Sequence, residues 1–258
     1  MNRLVNVYRS IHEQGFLPIF VEDDLDSIML VEACINAGCK GIEYTLRRRD
    51  AHTMIPWIRK NYPDLILLVG STLDSDLIIQ RARKRNHEQL LTLDELADMG
   101  VDGFISMHGF SEKTIRKFSR RNLLIPAAGT LTEALRQFDA GAHFIKILGP
   151  NMDLVRLCRS PATFDYCPIF LTGGMTTGRI LEAVQAGAVM TGSGFEVMLK
   201  EFSIKEHTSK AIIKVLTKYL KTMQKAIDTY HPDLGRLRGS DNTHWLRGLP
   251  HQHPFDEI

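Results

Sequence analysis

Short apolar runs alternate with amphipathic stretches along most of the chain. Phe16–Val21, Gly41–Leu46, Leu65–Val69, Gly103–Met107, Leu123–Ala127, His143–Leu148, Pro168–Thr172 and Ala188–Thr191 are mostly apolar rather than strictly alternating. This pattern predicts eight strands covered on both faces, as in a parallel sheet enclosed by helices. Between them, Leu25–Asn36, Ala51–Asn61, Asp74–Arg85, Leu93–Asp98, Glu112–Ser119, Thr132–Asp139, Met152–Cys158 and Thr177–Gln185 carry helical spacing. Ala37-Gly38, Ala140-Gly141 and Ala186-Gly187, with Met99-Gly100 as a variant, stand just before the next strand. A glycine there can end a helix in the left-handed conformation and turn the chain back.

Strand and helix units with short connections favour a (β/α)8 TIM barrel, because closure leaves no edge strand to protect. An open doubly wound sheet is the competing arrangement. Its Gly-x-Gly-x-x-Gly fingerprint is missing, since the first strand is followed by Glu22-Asp23-Asp24. Residues 1–200 are read as the catalytic barrel. Beyond Phe195, the residues Phe202, Ile212, Ile213, Leu216, Leu220 and Met223 recur at helical spacing among lysines. Residues 201–230 are therefore expected to form a helical extension packed on the barrel or on a neighbouring subunit. Residues 231–258 hold Gly235, Gly239, Gly248, Pro250 and Pro254 without a period and read as a flexible polar tail.

Composition narrows the function classes. A formal net charge of +2 gives no field for a nucleic-acid backbone, although a small anion needs only a local cationic cluster. No apolar run reaches the roughly 20 residues that span a bilayer, and Met1-Asn2-Arg3-Leu4 opens no signal peptide, so a cytoplasmic protein with no membrane partner is expected. Cys34, Cys39, Cys158 and Cys167 lack ligand-like spacing, and His244, His251 and His253 read as tail histidines; no metal is expected. The basic stretch around Arg81, Arg83, Lys84 and Arg85 reads as a solvated helix face.

Polar residues inside apolar strands then carry the chemistry, because the C-terminal strand ends form the active mouth of such a barrel. Alternation places Phe144, Lys146 and Leu148 on one face. If that face is the interior, burial favours the neutral amine, which can attack a ketone and form a Schiff base. A snorkelling lysine is the alternative. Glu43 shares a face with Thr45 and Arg47 and can shuttle protons beside such a lysine, or can serve only as a buried ion-pair partner. Arg47, at the strand end, suits a substrate carboxylate, whereas Arg48 and Arg49 read as surface charges. Thr72 is the fourth polar candidate. Leu171-Thr172-Gly173-Gly174 and Thr191-Gly192-Ser193-Gly194 each end a strand and feed a helix, which suits a phosphate.

These residues, in this order, resemble the 2-keto-3-deoxy-6-phosphogluconate (KDPG) aldolase family, class I aldolases that include 2-keto-3-deoxy-6-phosphogalactonate and 4-hydroxy-2-oxoglutarate cleaving members. The resemblance runs from about Gly15 to Met198, on Gly41-Ile42-Glu43-Tyr44-Thr45-Leu46-Arg47, Gly70-Ser71-Thr72, Ile125-Pro126, Thr132-Glu133, Ile145-Lys146, Thr172-Gly173-Gly174 and Gly192-Ser193. It implies Lys146 as Schiff-base lysine, Glu43 as general acid/base, and Arg47 and Thr72 on the pyruvyl carboxylate. Gly173, Gly174, Gly192 and Ser193 would hold the phosphate. It further implies a homotrimer without metal or organic cofactor that splits a phosphorylated 2-keto-3-deoxy sugar acid into pyruvate and glyceraldehyde 3-phosphate. Ser71, Met107, Ala127 and Gly149-Pro150 depart from the family pattern around the pyruvate pocket, which implies an altered substrate shape. Two other classes fit the residues alone. One is a non-covalent phosphosugar isomerase, epimerase or transferase in which Lys146 only neutralises charge; the other is a noncatalytic phosphosugar-binding or assembly barrel.

Overall fold

Eight strands, β1 Phe16–Phe20, β2 Gly41–Thr45, β3 Ile66–Thr72, β4 Gly103–Ser106, β5 Leu123–Ile125, β6 Ile145–Leu148, β7 Ile169–Thr172 and β8 Met190–Gly194, pair in parallel in the order β5-β4-β3-β2-β1-β8-β7-β6. This is a computed structural model that describes residues 3–160 and 167–233. The ends of that strand order meet. Ala127 bridges Lys146, whose amide donates to Pro126 O at 2.8 Å, while Ala128 N donates to Lys146 O at 2.9 Å. The seam that closes the barrel therefore runs through the backbone of Lys146.

Helices α1 Arg3–Gln14, α2 Ser27–Asn36, α3 Ala51–Asn61, α4 Asp76–Arg83, α5 Leu93–Asp98, α6 Glu112–Phe118, α7 Leu131–Asp139, α8 Met152–Cys158, α9 Thr177–Ala186, α10 Phe195–Glu201 and α11 Ser209–Tyr230 accompany the strands. Their starts are written in the sequence. Ser75, Thr92, Ser111, Thr130 and Thr176 each cap a helix by accepting the amide three residues on. Their ends follow the glycine signal: Gly38, Gly100, Gly141 and Gly187 all have positive φ, between 76° and 117°.

The core has two compartments. One lies between strands and outer helices and holds outward-facing residues such as Phe16, Phe20, Tyr44, Phe104 and Leu171. The other fills the lower lumen with Leu17, Ile19, Leu68, Ile105, Phe144 and Phe170, and includes Leu4, Tyr8 and Ile11 of α1. Helix α1 stands outside the strand–helix alternation read from the sequence. It plugs the N-terminal end of the barrel, with Tyr8 stacked on Phe144 at 4.8 Å between ring centroids. Gln14, at its end, donates to Phe16 O at 2.6 Å and Gly41 O at 2.9 Å, tying the starts of β1 and β2 together. Arg3 and Arg59 both pair with buried Asp102, which also accepts Leu67 N.

The C-terminal helices pack on the barrel, one of the two placements that the sequence left open. Helix α10 is short, and α11 packs between α9 and α2 in the outer ring, over β1. Thr191 of β8 lies 3.6 Å from Met223 Sδ, and the Phe16 and Tyr219 rings are 5.0 Å apart. The boundary expected at residue 200 thus falls inside α10, and α11 covers the barrel itself. The tail from residue 234 on, with His244, His251 and His253, lies outside the described residues.

Helix α11 buries Ile212, Val215, Leu216, Tyr219, Leu220, Met223, Ala226 and Ile227. Each large apolar side chain removed from water contributes about 1.5–3 kcal/mol, so their sum rivals the roughly 5–15 kcal/mol net stability of a domain. A chain ending at His207 is expected to lose its cooperative thermal transition, whereas one ending at Asp233 keeps it. A calorimetric scan of the two truncations decides, and an intact transition in the shorter chain would show α11 to be dispensable.

Candidate active site

Alternation along the strands decides which polar residues enter the lumen. In β6 the sequence Ile145-Lys146-Ile147 sends Lys146 inward, between Phe144 below and Leu148 at the rim, in register with Phe170 of β7. In β2, Glu43 is inward between Ile19 of β1 and Leu68 of β3. The two strands lie on opposite sides of the barrel, and their side chains meet across it. Lys146 Nζ stands 3.3 Å from Glu43 Oε1, with side-chain exposures of 4% and 1%. Nζ also lies 5.6 Å from the centre of the Phe170 ring. Glu43 Oε2 is buried and accepts no hydrogen bond.

The pair is a buried ion pair, one of the arrangements that the sequence left open, and it places an amine within reach of a carboxylate. Lys146 does not snorkel. The Gly149-Pro150 turn beyond it leaves β6 in register, because Gly149 N donates to Thr172 O at 2.8 Å and holds the strand end against β7. What sequence reasoning missed is the space that Glu43 requires. A Cβ on Gly70 of β3 would overlap Glu43 Oε1 and lie 2.9 Å from its Cδ. Only glycine leaves the carboxylate its place. A glycine isolated in an apolar strand is itself a signal of such close approach, and Val69-Gly70 carried it.

The remaining candidates are placed unevenly. Thr72 is fully buried in the last turn of β3, where a bulge shifts the pairing with β4. Its hydroxyl donates to Ile105 O at 3.0 Å, so its single proton is engaged in the barrel wall. Ser71 before it has φ 59°, a conformation that costs a non-glycine residue energy and re-aims the strand end. Arg47 lies exposed just beyond β2. Arg48, expected at the surface, is buried instead: it donates to Leu25 O at 3.0 Å and Ser27 Oγ at 2.7 Å, contacts Glu22 O, and pairs with Asp50 at 3.1 Å. It clamps the loop after β1 to the loop after β2. Burial works against the charge of Asp50, but hydrogen bonds from Arg48, Ser27 and Tyr44 hold its carboxyl below its ordinary value.

At the far side of the mouth, Gly173 and Gly174 form a left-handed turn with φ 101° and 60°, and Gly173 packs on the Gly149 backbone. Arg179, on the first turn of α9, donates to Gly174 O at 2.8 Å and puts a cation beside that turn. Gly192 and Ser193, expected in a turn after the strand, are strand residues paired with Leu17 and Pro18 of β1. Ser193 shares its face with Thr191, which points outward to α11, and its buried Oγ has no partner. Met107 and Ala127, two of the departures from the family pattern, line a cavity of about 630 Å³ with His108, Ala128 and Leu148.

Among the described residues no group of three or more His, Cys, Asp or Glu is placed to hold a metal ion, and no helix is long and apolar enough to cross a membrane. No family model matches the chain. In sequence it is 24% identical over 204 residues, 77% of this chain and 91% of the relative, to the 2-dehydro-3-deoxy-6-phosphogalactonate aldolase of Escherichia coli (strain K12). In fold it is similar to a KDPG aldolase from Legionella pneumophila with pyruvate captured as a covalent carbinolamine intermediate. That match has a TM-score of 0.62 at 18% identity and covers 84% of this chain and 97% of the other. A native KDPGal structure matches with a TM-score of 0.62 at 20% identity, covering 83% of this chain and 95% of its own.

Proposed function

From a chain homologous in sequence and fold to the class I aldolases of the KDPG and 4-hydroxy-2-oxoglutarate type, we propose a Schiff-base aldolase that cleaves a 2-keto-3-deoxy-6-phospho sugar acid to pyruvate and glyceraldehyde 3-phosphate. The observation that carries this reading is the isolated lumen pair, Lys146 Nζ 3.3 Å from Glu43 Oε1, above an apolar floor of Phe144 and Phe170. A lysine in such a setting can pass a proton to its partner and become the nucleophile.

The steps follow from these groups. Glu43 takes the ammonium proton, and the neutral Lys146 amine attacks the C2 ketone to give a carbinolamine. Proton return to the hydroxyl expels water and leaves an iminium. Removal of the C4 hydroxyl proton breaks the C3–C4 bond, and its electrons pass into the iminium to form an enamine while the aldehyde departs. Protonation at C3 and hydrolysis release pyruvate and restore the amine. Glu43, with Oε2 free for the substrate side, moves the protons.

In this reading Arg47 holds the carboxylate from the open side, with Thr72 shaping the wall beside it, and the backbone of Gly173, Gly174, Gly192 and Ser193 meets the phosphate. The active unit is a homotrimer that uses neither metal nor organic cofactor. Pyruvate release, coupled to lactate dehydrogenase, is expected from at least one of the gluconate-derived and galactonate-derived 2-keto-3-deoxy acids, assayed with and without the 6-phosphate. No pyruvate from any of the four acids would refute the assignment.

A further inference from the structure

The end of β8 carries a carboxylate that the proposed chemistry does not use. Gly192 and Gly194 stand two residues apart in β8 and so face the same way. A Cβ on Gly192 would meet Phe170 Cζ at 2.9 Å and Ile19 Cδ1 at 3.0 Å, both lumen side chains, which fixes that direction as inward. A Cβ on Gly194 would overlap both Glu196 carboxylate oxygens and lie 2.5 Å from its Cδ. Glu196, on the first turn of α10, therefore folds its carboxylate back over the strand end, onto the side that faces the mouth.

Its charged neighbours are Glu22, after β1, and Arg47, after β2. Removal from water raises the Glu196 carboxyl above its ordinary value and Glu22 adds to that, while a hydrogen bond from its own backbone N–H and the charge of Arg47 oppose it. A cavity of about 240 Å³ lies alongside, lined by Glu22, Arg48, Glu196, Lys200 and His207 among others. On the neighbouring β7 turn the charge is reversed, with Arg179 at Gly174 O. Around the ends of β7 and β8 an anion thus meets the carboxylates of Glu196 and Glu22 interspersed with the cations Arg47 and Arg179, rather than a uniformly positive cradle.

We propose that Glu196 is a specificity-determining residue for the distal end of the substrate: it disfavours a terminal phosphate dianion and accepts the terminal hydroxyl of an unphosphorylated 2-keto-3-deoxy acid, widening the substrate range to both. The orientation of the substrate, keto end at Lys146 and far end at β7 and β8, rests on the aldolase reading. The physical basis is general. Two anions brought together at a partly desolvated rim repel, whereas a carboxylate accepts a hydrogen bond from a hydroxyl. Specificity of this kind comes from a repulsive element as much as from an attractive one.

The test uses 6-phosphogluconate and gluconate, which lack the C2 ketone and so cannot form the Schiff base. Calorimetric Kd values for both are measured on the wild-type chain, Glu196→Gln and Glu196→Lys, at one pH and salt concentration. The preference for 6-phosphogluconate over gluconate is expected to rise by roughly tenfold or more in Glu196→Gln, and further in Glu196→Lys, mainly through tighter binding of 6-phosphogluconate. A preference unchanged within about twofold in both variants, or no binding of 6-phosphogluconate by any of the three proteins, overturns the assignment. Borohydride trapping of pyruvate on the wild-type chain tests the aldolase reading separately. An adduct with an unchanged preference removes the role of Glu196 alone, and a shifted preference without an adduct removes the aldolase alone.

Discussion

Lys146→Met is expected to abolish both cleavage and covalent labelling, because every bond change in the proposed reaction passes through the Lys146 nitrogen. Incubation of the wild-type chain with pyruvate and borohydride should reduce the iminium to a stable amine and add the pyruvyl mass to the peptide containing Phe144–Leu148. Without the iminium, electrons from the C3–C4 bond have no sink, and the leaving fragment is a poorly stabilised carbanion. Methionine keeps the length and apolar stem of lysine while removing the amine. It also leaves Glu43 without its 3.3 Å partner in the lumen. The double variant Lys146→Met/Glu43→Gln removes that lone carboxylate and should be equally inactive while folding better. Labelling at another residue, or persistent cleavage without labelling, would overturn the mechanism. Lys146→Arg is a weaker probe, since its retained charge can still bind the substrate.

The second large effect is expected at Glu43. Glu43→Gln keeps the shape of the side chain but cannot accept a proton, so kcat should fall by roughly 10²-fold or more. Gly70→Ala approaches the same residue from the other side. Its methyl group overlaps Glu43 Oε1, so the carboxylate has to leave its position beside Lys146. A kcat loss approaching that of Glu43→Gln, with pyruvate still trapped slowly on Lys146, is the expected signature of misplaced proton transfer. Thermal unfolding separates this from a structural role. A Glu43→Gln chain with a lower Tm but near-normal kcat per folded molecule would make the pair a fastening of the barrel and nothing more.

Much of this site was legible in the chain because strand periodicity is local. A lysine between Ile145 and Ile147, and a glutamate between Ile42 and Tyr44, point opposite to their apolar neighbours wherever the sheet lies. Once the barrel is closed, both inward directions converge. The exposure of Arg47 beside the burial of Arg48 was not legible, since both follow the same strand and carry the same charge. Which one turns inward depends on Leu25 O, Ser27 and Asp50, partners supplied by other loops. Glu196 was passed over for a related reason: a glutamate in a helix's first turn is an ordinary sight. Only the vacancy above Gly194 shows where its carboxylate goes.

The sequence by itself determined the strand–helix alternation, the helix ends at Gly38, Gly100, Gly141 and Gly187, and which residues of β2 and β6 share a face. Those features depend on interactions within a few residues: side-chain period, capping and the left-handed freedom of glycine. The tertiary structure alone decided that α1 plugs the lumen, although Leu4, Tyr8 and Ile11 carry helical spacing that marks an apolar face. It also decided that α11 covers the barrel between α9 and α2, and that Gly70 clears the space for Glu43. An apolar stripe states that a surface must be covered but not by what. A glycine states that space is required but not for which atom. Those answers come only when residues as far apart in the chain as Glu43 and Lys146 are brought to one point by closure of the sheet.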